Sequence, residues 1–222
     1  MSLFPIFAPA SAAVVTGSFA SSGVTSLESN ATSFTFSGVD LGTAASNRHI
    51  VIAAVTAAGS ASNGASVTVG GASASLVIRA SGADNTRAEL WIASLPSGTT
   101  GDVVIVWSVA KDRCGYAAWA MYGANATASD TATDSDTTPS FTIDVPANGY
   151  LIAGAGFNGP SSVPTATWTG VTEDYDETTK PNSGQTGGSV ALAAAASGRT
   201  VSFSPSSGLS LCAMAAASFT PA

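Results

Sequence analysis

The chain has 222 residues, of which 7 are Lys or Arg and 14 are Asp or Glu, so it carries a formal net charge of −7 with only 9% charged residues. Seven basic residues scattered through an acidic chain do not form the Lys/Arg stripe that phosphate contacts require, which argues against nucleic acid as a partner, and an anionic membrane surface is equally unattractive. No apolar run approaches the roughly 18 residues that cross a bilayer, so membrane insertion is not expected.

The chain opens on Met-Ser-Leu3-Phe4-Pro5-Ile6-Phe7-Ala-Pro9. Proline removes a backbone donor and holds the preceding residue extended, so residues 1–11 read as an extended apolar arm and not as a helix. The segment lacks a basic leading region and its apolar run is broken by proline, unlike a signal peptide. Leu3, Phe4, Pro5, Ile6 and Phe7 are the candidate docking residues, with the arm either folded back on its own domain or inserted into another protein.

From residue 12 the pattern is that of strands. Residues 12–19 and 32–37 read as two of them, the second with Phe34 and Phe36 on one face by period-two alternation. Residues 48–57, RHIVIAAVTA, form a nearly continuous apolar run of strand length, which predicts burial on both faces. Asn63-Gly64 and Gly70-Gly71 supply turn chemistry around a short strand at 66–69, and 75–79 follows as another. Residues 87–95 and 102–109 are rich in β-branched and aromatic side chains and are separated by PSGTTG, which predicts the strongest hairpin of the chain. Trp91 and Trp107 are expected in the first core, and residues 114–122 close the first block.

Residues 125–139, NATASDTATDSDTTP, contain three aspartates and no aromatic, and read as a solvated linker. The flanking blocks share an order of segments. Ser33-Phe34-Thr35 answers to Ser140-Phe141-Thr142, residues 50–57 to 150–157, 67–70 to 167–170, 90–94 to 190–194, 103–106 to 200–203, and Cys114 to Cys212. No segment carries a long amphipathic helical pattern, and the Ala-rich run at 190–196 is read as a strand between glycine turns. The expected fold is therefore all-β: two tandem seven-stranded antiparallel β-sandwich repeats of jelly-roll or Ig-like layout. The domain reading is an arm at 1–11, a first sandwich at 12–124, a linker at 125–139 and a second sandwich at 140–222. Side chains this small bury little area each, at about 25 cal/mol per Å², so neighbouring subunits are expected to contribute and a homo-oligomer is anticipated.

Chemistry-bearing residues are sparse. His49 is the only histidine, and no G-x-S-x-G, H-E-x-x-H or paired ligand spacing accompanies it, so a structural or surface role is expected. Cys114 and Cys212 read either as two buried thiols or as a disulfide, which would need the two strands within about 7 Å. The seam aspartates Asp130, Asp134 and Asp136 and the run Glu173 to Glu177 offer oxygen ligands, but neither matches a calcium loop, and solvated loops are the simpler reading. Trp168 and Tyr175, beside Phe157, Asn158, Asn182 and Gln185, are the candidate glycan contacts; the alternative for Trp168 is the large core residue of the second block. No catalytic residue, metal or cofactor is assigned, and the chain is not read as an enzyme.

The phrases MSLFPIFAPA, RAELWIASLPSGTTGDVVIVW and CGYAAWAMYGA resemble the small Ala, Gly, Ser and Thr-rich structural proteins of tailed bacteriophages and prophages. The resemblance spans most of the chain. It implies a virion component present in many symmetric copies, such as a capsid decoration protein, head fibre or tail-associated subunit. Such a subunit would assemble in the host cytoplasm and dock on other virion proteins, here through the N-terminal arm. The alternative function is a carbohydrate-binding adhesin module for host surface glycans.

Overall fold

Runs of β-branched residues, alanine and glycine punctuated by Gly, Asn and Pro turns favour pleated surfaces over helices, and the protein is built of antiparallel strands. The computed structural model describes residues 12–56, 64–159 and 165–222. The candidate arm residues Leu3, Phe4, Pro5, Ile6 and Phe7 lie outside them. Among the described residues the one helical element is a single 3-10 turn at Ala83–Asn85.

The first block supplies β1 (Thr16–Asp40), β2 (Arg48–Thr56), β3 (Gly64–Val69), β4 (Ala72–Ser73), β5 (Ser75–Ser81), β6 (Arg87–Ser94) and β7 (Thr100–Tyr122). The second supplies β8 (Asp130–Asp134), β9 (Ser140–Val145), β10 (Gly149–Asn158), β11 (Ala166–Thr169), β12 (Thr172–Lys180), β13 (Ser183–Leu192), β14 (Ala196–Pro205) and β15 (Leu211–Phe219). Strands β1 to β7 form one sheet in the order β4-β3-β7-β2-β6-β5, with β1 running along β7. The first half of β7 pairs with β3 and its second half with β2, so the sheet curls over and nearly closes. A five-stranded sheet, β12-β13-β10-β15-β8, and a three-stranded sheet, β11-β14-β9, follow.

Three cores lie between these surfaces. Phe34, Ile50, Ile52, Trp91, Ile105 and Trp107 fill the curl of the seven-stranded sheet. Leu151, Phe157, Trp168, Val201, Phe203 and Met214 fill the space between the five- and three-stranded sheets. The third core joins the blocks: Val51, Val55, Leu90 and Trp119 from the first meet Tyr150, Ile152, Tyr175 and Phe219 from the second. Strand β2 is buried on both faces as its apolar run predicts, Ile50 and Ile52 pointing into one core and Val51 and Val55 into another. Trp91 and Trp107 lie in the first core as expected, and Gly70-Gly71, with φ of 55° and 82°, turns β3 into β4.

Glycine lets the two central sheets approach. A Cβ on Gly156 would stand 2.3 Å from Val55 Cγ1, and one on Gly115 would stand 2.2 Å from Gln185 Oε1.

Several expectations change in the structure. The expected strand at 32–37 and the part of that at 12–19 from Thr16 onward belong to one continuous β1, kept in register with β7 by bulges. The expected hairpin of 87–95 with 102–109 does not form: β6 pairs with β2 and β5, while the start of β7 pairs with β1 and β3. The connection between them crosses from one side of the curl to the other. Arg48, fully buried, holds it there, its guanidinium donating to the carbonyls of Leu95 at 2.7 Å, Ser97 at 3.0 Å and Gly98 at 2.7 Å, and to those of Leu41 and Gly42.

The linker expected at 125–139 contains β8, an edge strand on β15. Its aspartates serve the turns around it: Asp134 accepts the N–H groups of Ser135, Asp136 and Ser140, and Asp130 accepts those of Thr131 and Asp144. The run at 190–196 straddles the turn between β13 and β14, and Gly187-Gly188 lie inside β13 instead of bounding it. There a Cβ on Gly187 would meet the Tyr175 ring at 2.6 Å, so close packing and not a turn requires the glycine. The match of residues 50–57 to 150–157 also slips by one, since Ile50 faces the core of its own block whereas Tyr150 faces the other block.

Candidate functional site

The acidic run at 173–177, expected as a solvated loop, is the middle of β12; Glu173 and Asp176 are exposed, and Asp174, Asp176 and Glu177 accept from the protein's own donors. Asp174 accepts from Trp119 Nε1 and from Ser189 Oγ, each at 2.7 Å, and Tyr150 donates to Ser189 Oγ at 2.8 Å. Glu177 accepts from Ser22 Oγ at 2.5 Å and from Gln185 Nε2 at 3.0 Å; Gln185, wholly buried, also donates to the carbonyl of Tyr116 at 3.1 Å. Asp176 accepts the Ala166 N–H at 2.8 Å. Trp119, Ser22 and Tyr116 belong to the first block and their partners to the second, so the network orients one block on the other. Burial pushes the Asp174 carboxyl above its ordinary range, against the opposing pull of the Trp119 and Ser189 bonds. Burial likewise raises the Tyr150 phenol to about 12.

The basic residues, scattered in the sequence, are gathered in space. Arg79, Arg87, Lys111, Arg113 and Lys180 converge with Glu89 and Asp112 where β2, β6 and β7 meet the ends of β10, β12 and β13. Glu89, with no exposed surface, accepts from Arg79 Nε at 2.6 Å, the Gly64 N–H at 2.8 Å and Trp91 Nε1 at 3.0 Å. Asp112 accepts from Arg113 Nε at 3.0 Å and from Lys180 Nζ, and Arg113 also donates to Ser183 Oγ. Burial raises the Asp112 carboxyl, but the bonds from Lys180 and Arg113 and their charges outweigh it and hold the group below its ordinary range. Burial, then the charges of Arg87 and Arg113, lowers the Lys111 ammonium. Arg87, Lys111 and Arg113 are all buried, so this concentration of cations is internal and not a surface stripe.

A cleft of about 520 Å³ opens between β5, the ends of β2 and β6, and the segment 126–131. Its polar wall is His49, Ser73, Ser75, Ser94, Thr127 and Thr131. Leu76, Val77 and Ile92 supply the apolar part, and Leu76 is exposed. The His49 ring lies against the backbone of Ala124, and its Nδ1 is buried with no hydrogen-bond partner. Burial lowers the imidazole pKa, against the pull of the Ala124 bond, and favours the neutral ring.

The predicted glycan contacts do not meet at this cleft. Trp168 is a core residue 8% exposed, tilted against Phe203 and donating from Nε1 to Thr186 Oγ1 at 2.8 Å. Tyr175 is 7% exposed and lies between the blocks, stacked on Phe19. Neither ring presents a face to solvent, and Phe157, Asn158 and Gln185 are also buried. The reason is their strand position: inward-facing residues of β11 and β12 fill cores that have few other large side chains. Cys114 and Cys212 are free thiols in two different cores; burial raises Cys114 to about 12 although Trp107 Nε1 donates to its sulfur at 3.3 Å, and burial raises Cys212 further. Among the described residues no group of three or more His, Cys, Asp or Glu is arranged to hold a metal, and no helix is long and apolar enough to cross a membrane. No protein-family model matches the chain, and no curated protein matches it.

Proposed function

We propose that the chain is a duplicated pair of antiparallel β-sandwiches serving as a non-enzymatic structural subunit. In this reading it assembles as a homo-oligomer through protein–protein contacts, as a capsid decoration protein, head fibre or tail-associated subunit of a bacteriophage virion. Support for the duplication comes from strand order. Replacing β5, β6, β2, the second half of β7 and the first half of β1 by β12, β13, β10, β15 and β8 reproduces one sheet from the other. The sheet β11-β14-β9 likewise matches β3, the first half of β7 and the second half of β1. Val51 pairs with Ile92 and Trp119 where Ile152 pairs with Ser189 and Ala217, and this register sets Cys114 level with Cys212.

The observation that carries the structural role is the use made of ionisable side chains: Asp174, Glu177, Glu89 and Asp112 are bonded to the protein's own donors, and both thiols are buried. Groups so engaged stabilise a rigid double block suited to repeated contacts. The virion assignment itself rests on the resemblance of the strand phrases. Quantitative mass spectrometry of particles purified from the host that encodes the chain tests it: a stoichiometric copy number is expected, and absence from particles refutes it. Host-glycan binding is the second reading, favoured by the neutral hydroxyl-lined cleft at His49 and no longer by Trp168 or Tyr175.

A further inference from the structure

We propose that the cleft bounded by β5, the ends of β2 and β6, and residues 126–131 binds a short uncharged saccharide. This deepens the glycan-binding reading by naming its site and ligand class, and is independent of the assembly reading. A volume of about 520 Å³ lies within the range of small-ligand sites, which suits a short oligosaccharide.

The lining decides the chemistry. Five serine and threonine residues and one histidine line the space, and none of the lining residues is an acid, a lysine or an arginine. A charged ligand would be desolvated there without a counter-charge, which is costly. A purely hydrocarbon ligand would cover those six polar side chains without satisfying them. A sugar ring presents hydroxyls around its edge and C–H groups on its faces, which matches serine and threonine side by side with Leu76, Val77 and Ile92.

His49 adds an independent reason. Its Nδ1 is a buried polar atom with no hydrogen-bond partner. Leaving such a polar atom unsatisfied destabilises the protein, and a ligand hydroxyl, which both donates and accepts, would satisfy it. Nδ1 is covered by protein atoms, so a ligand hydroxyl meets it only where a side chain at the cleft wall turns aside. Both blocks contribute: His49, Ser75 and Ser94 come from the first, and Thr131 lies on β8, paired with the second. The site therefore exists only in the docked pair.

The test is titration calorimetry and saturation-transfer NMR of the full chain with maltotriose, cellotriose, chitotriose and mannotriose, and with sialyllactose as a charged control. At least one uncharged sugar is expected to bind, with His49→Ala and Thr131→Val each weakening it about tenfold. Thr131→Val keeps the side-chain shape, and its melting temperature identifies any loss that is merely structural. If none of the four binds, both the site and the glycan-binding reading fall. Binding that neither substitution weakens leaves glycan binding standing and overturns this site. Equal binding of sialyllactose, or displacement of the sugar by a strand-forming peptide paired on the β5 edge, overturns the ligand class.

Discussion

Replacing Gly156 by alanine measures how closely the two central sheets run. A Cβ there would lie 2.3 Å from Val55 Cγ1 and 3.3 Å from the Arg87 carbonyl. Val55 is 1% exposed and β-branched, so it has little rotamer freedom with which to yield. Overpacking of this kind costs about 1–3 kcal/mol, and alanine returns roughly 0.5–1 kcal/mol of the conformational entropy that glycine loses in a strand. The net expectation is a destabilisation of about 1–2 kcal/mol, or a fall of about 3–6 °C in Tm for a chain of this length. Urea unfolding followed by tryptophan fluorescence reads it, with thermal melts as a second probe. Val55→Ala removes the obstructing methyl, so the double variant should be more stable than the sum of the single effects by about 1 kcal/mol. An unchanged or raised Tm for Gly156→Ala, or strict additivity with Val55→Ala, would refute the close approach of β2 and β10.

Three further outcomes are expected. Glu89→Gln weakens the charge partner of Arg79 and the acceptor of two N–H groups in a fully buried position, and should cost about 3 kcal/mol in chemical denaturation; a loss below about 1 kcal/mol would contradict the bonding described. Asp174 is raised in the folded state, so the unfolded chain releases its proton first and stability declines as pH rises from the ordinary carboxylate pKa through the raised one. Asp112 is depressed, so its contribution is present above the unfolded pKa and is lost as pH falls through the folded one. Stability–pH profiles of Asp174→Asn and Asp112→Asn should each lack the corresponding slope, and a profile that keeps it assigns the titration elsewhere. Alkylation with iodoacetamide should leave the native protein unlabelled and add two labels after denaturation without reductant; a single label or none in the denatured chain would contradict two free thiols.

What the sequence by itself determined is local. Period-two alternation, β-branched content and glycine turns identify an all-β chain, the doubly buried β2, the Gly70-Gly71 turn and the core placement of Trp91 and Trp107, because each depends on neighbours a few residues apart. What only the tertiary structure decided is which surfaces meet. Trp119 bonds Asp174 across 55 positions and Gln185 bonds the Gly23 carbonyl across 162, contacts with no local spacing to announce them. For the same reason β6 and β7 read as a hairpin although Arg48 holds their connection as a crossing between layers, and the acidic β12 read as solvated although its Asp174 and Glu177 bond the other block. A carboxylate in a polar run looks the same in sequence whether water or a buried indole completes its bonds; only the packing of distant strands makes that choice.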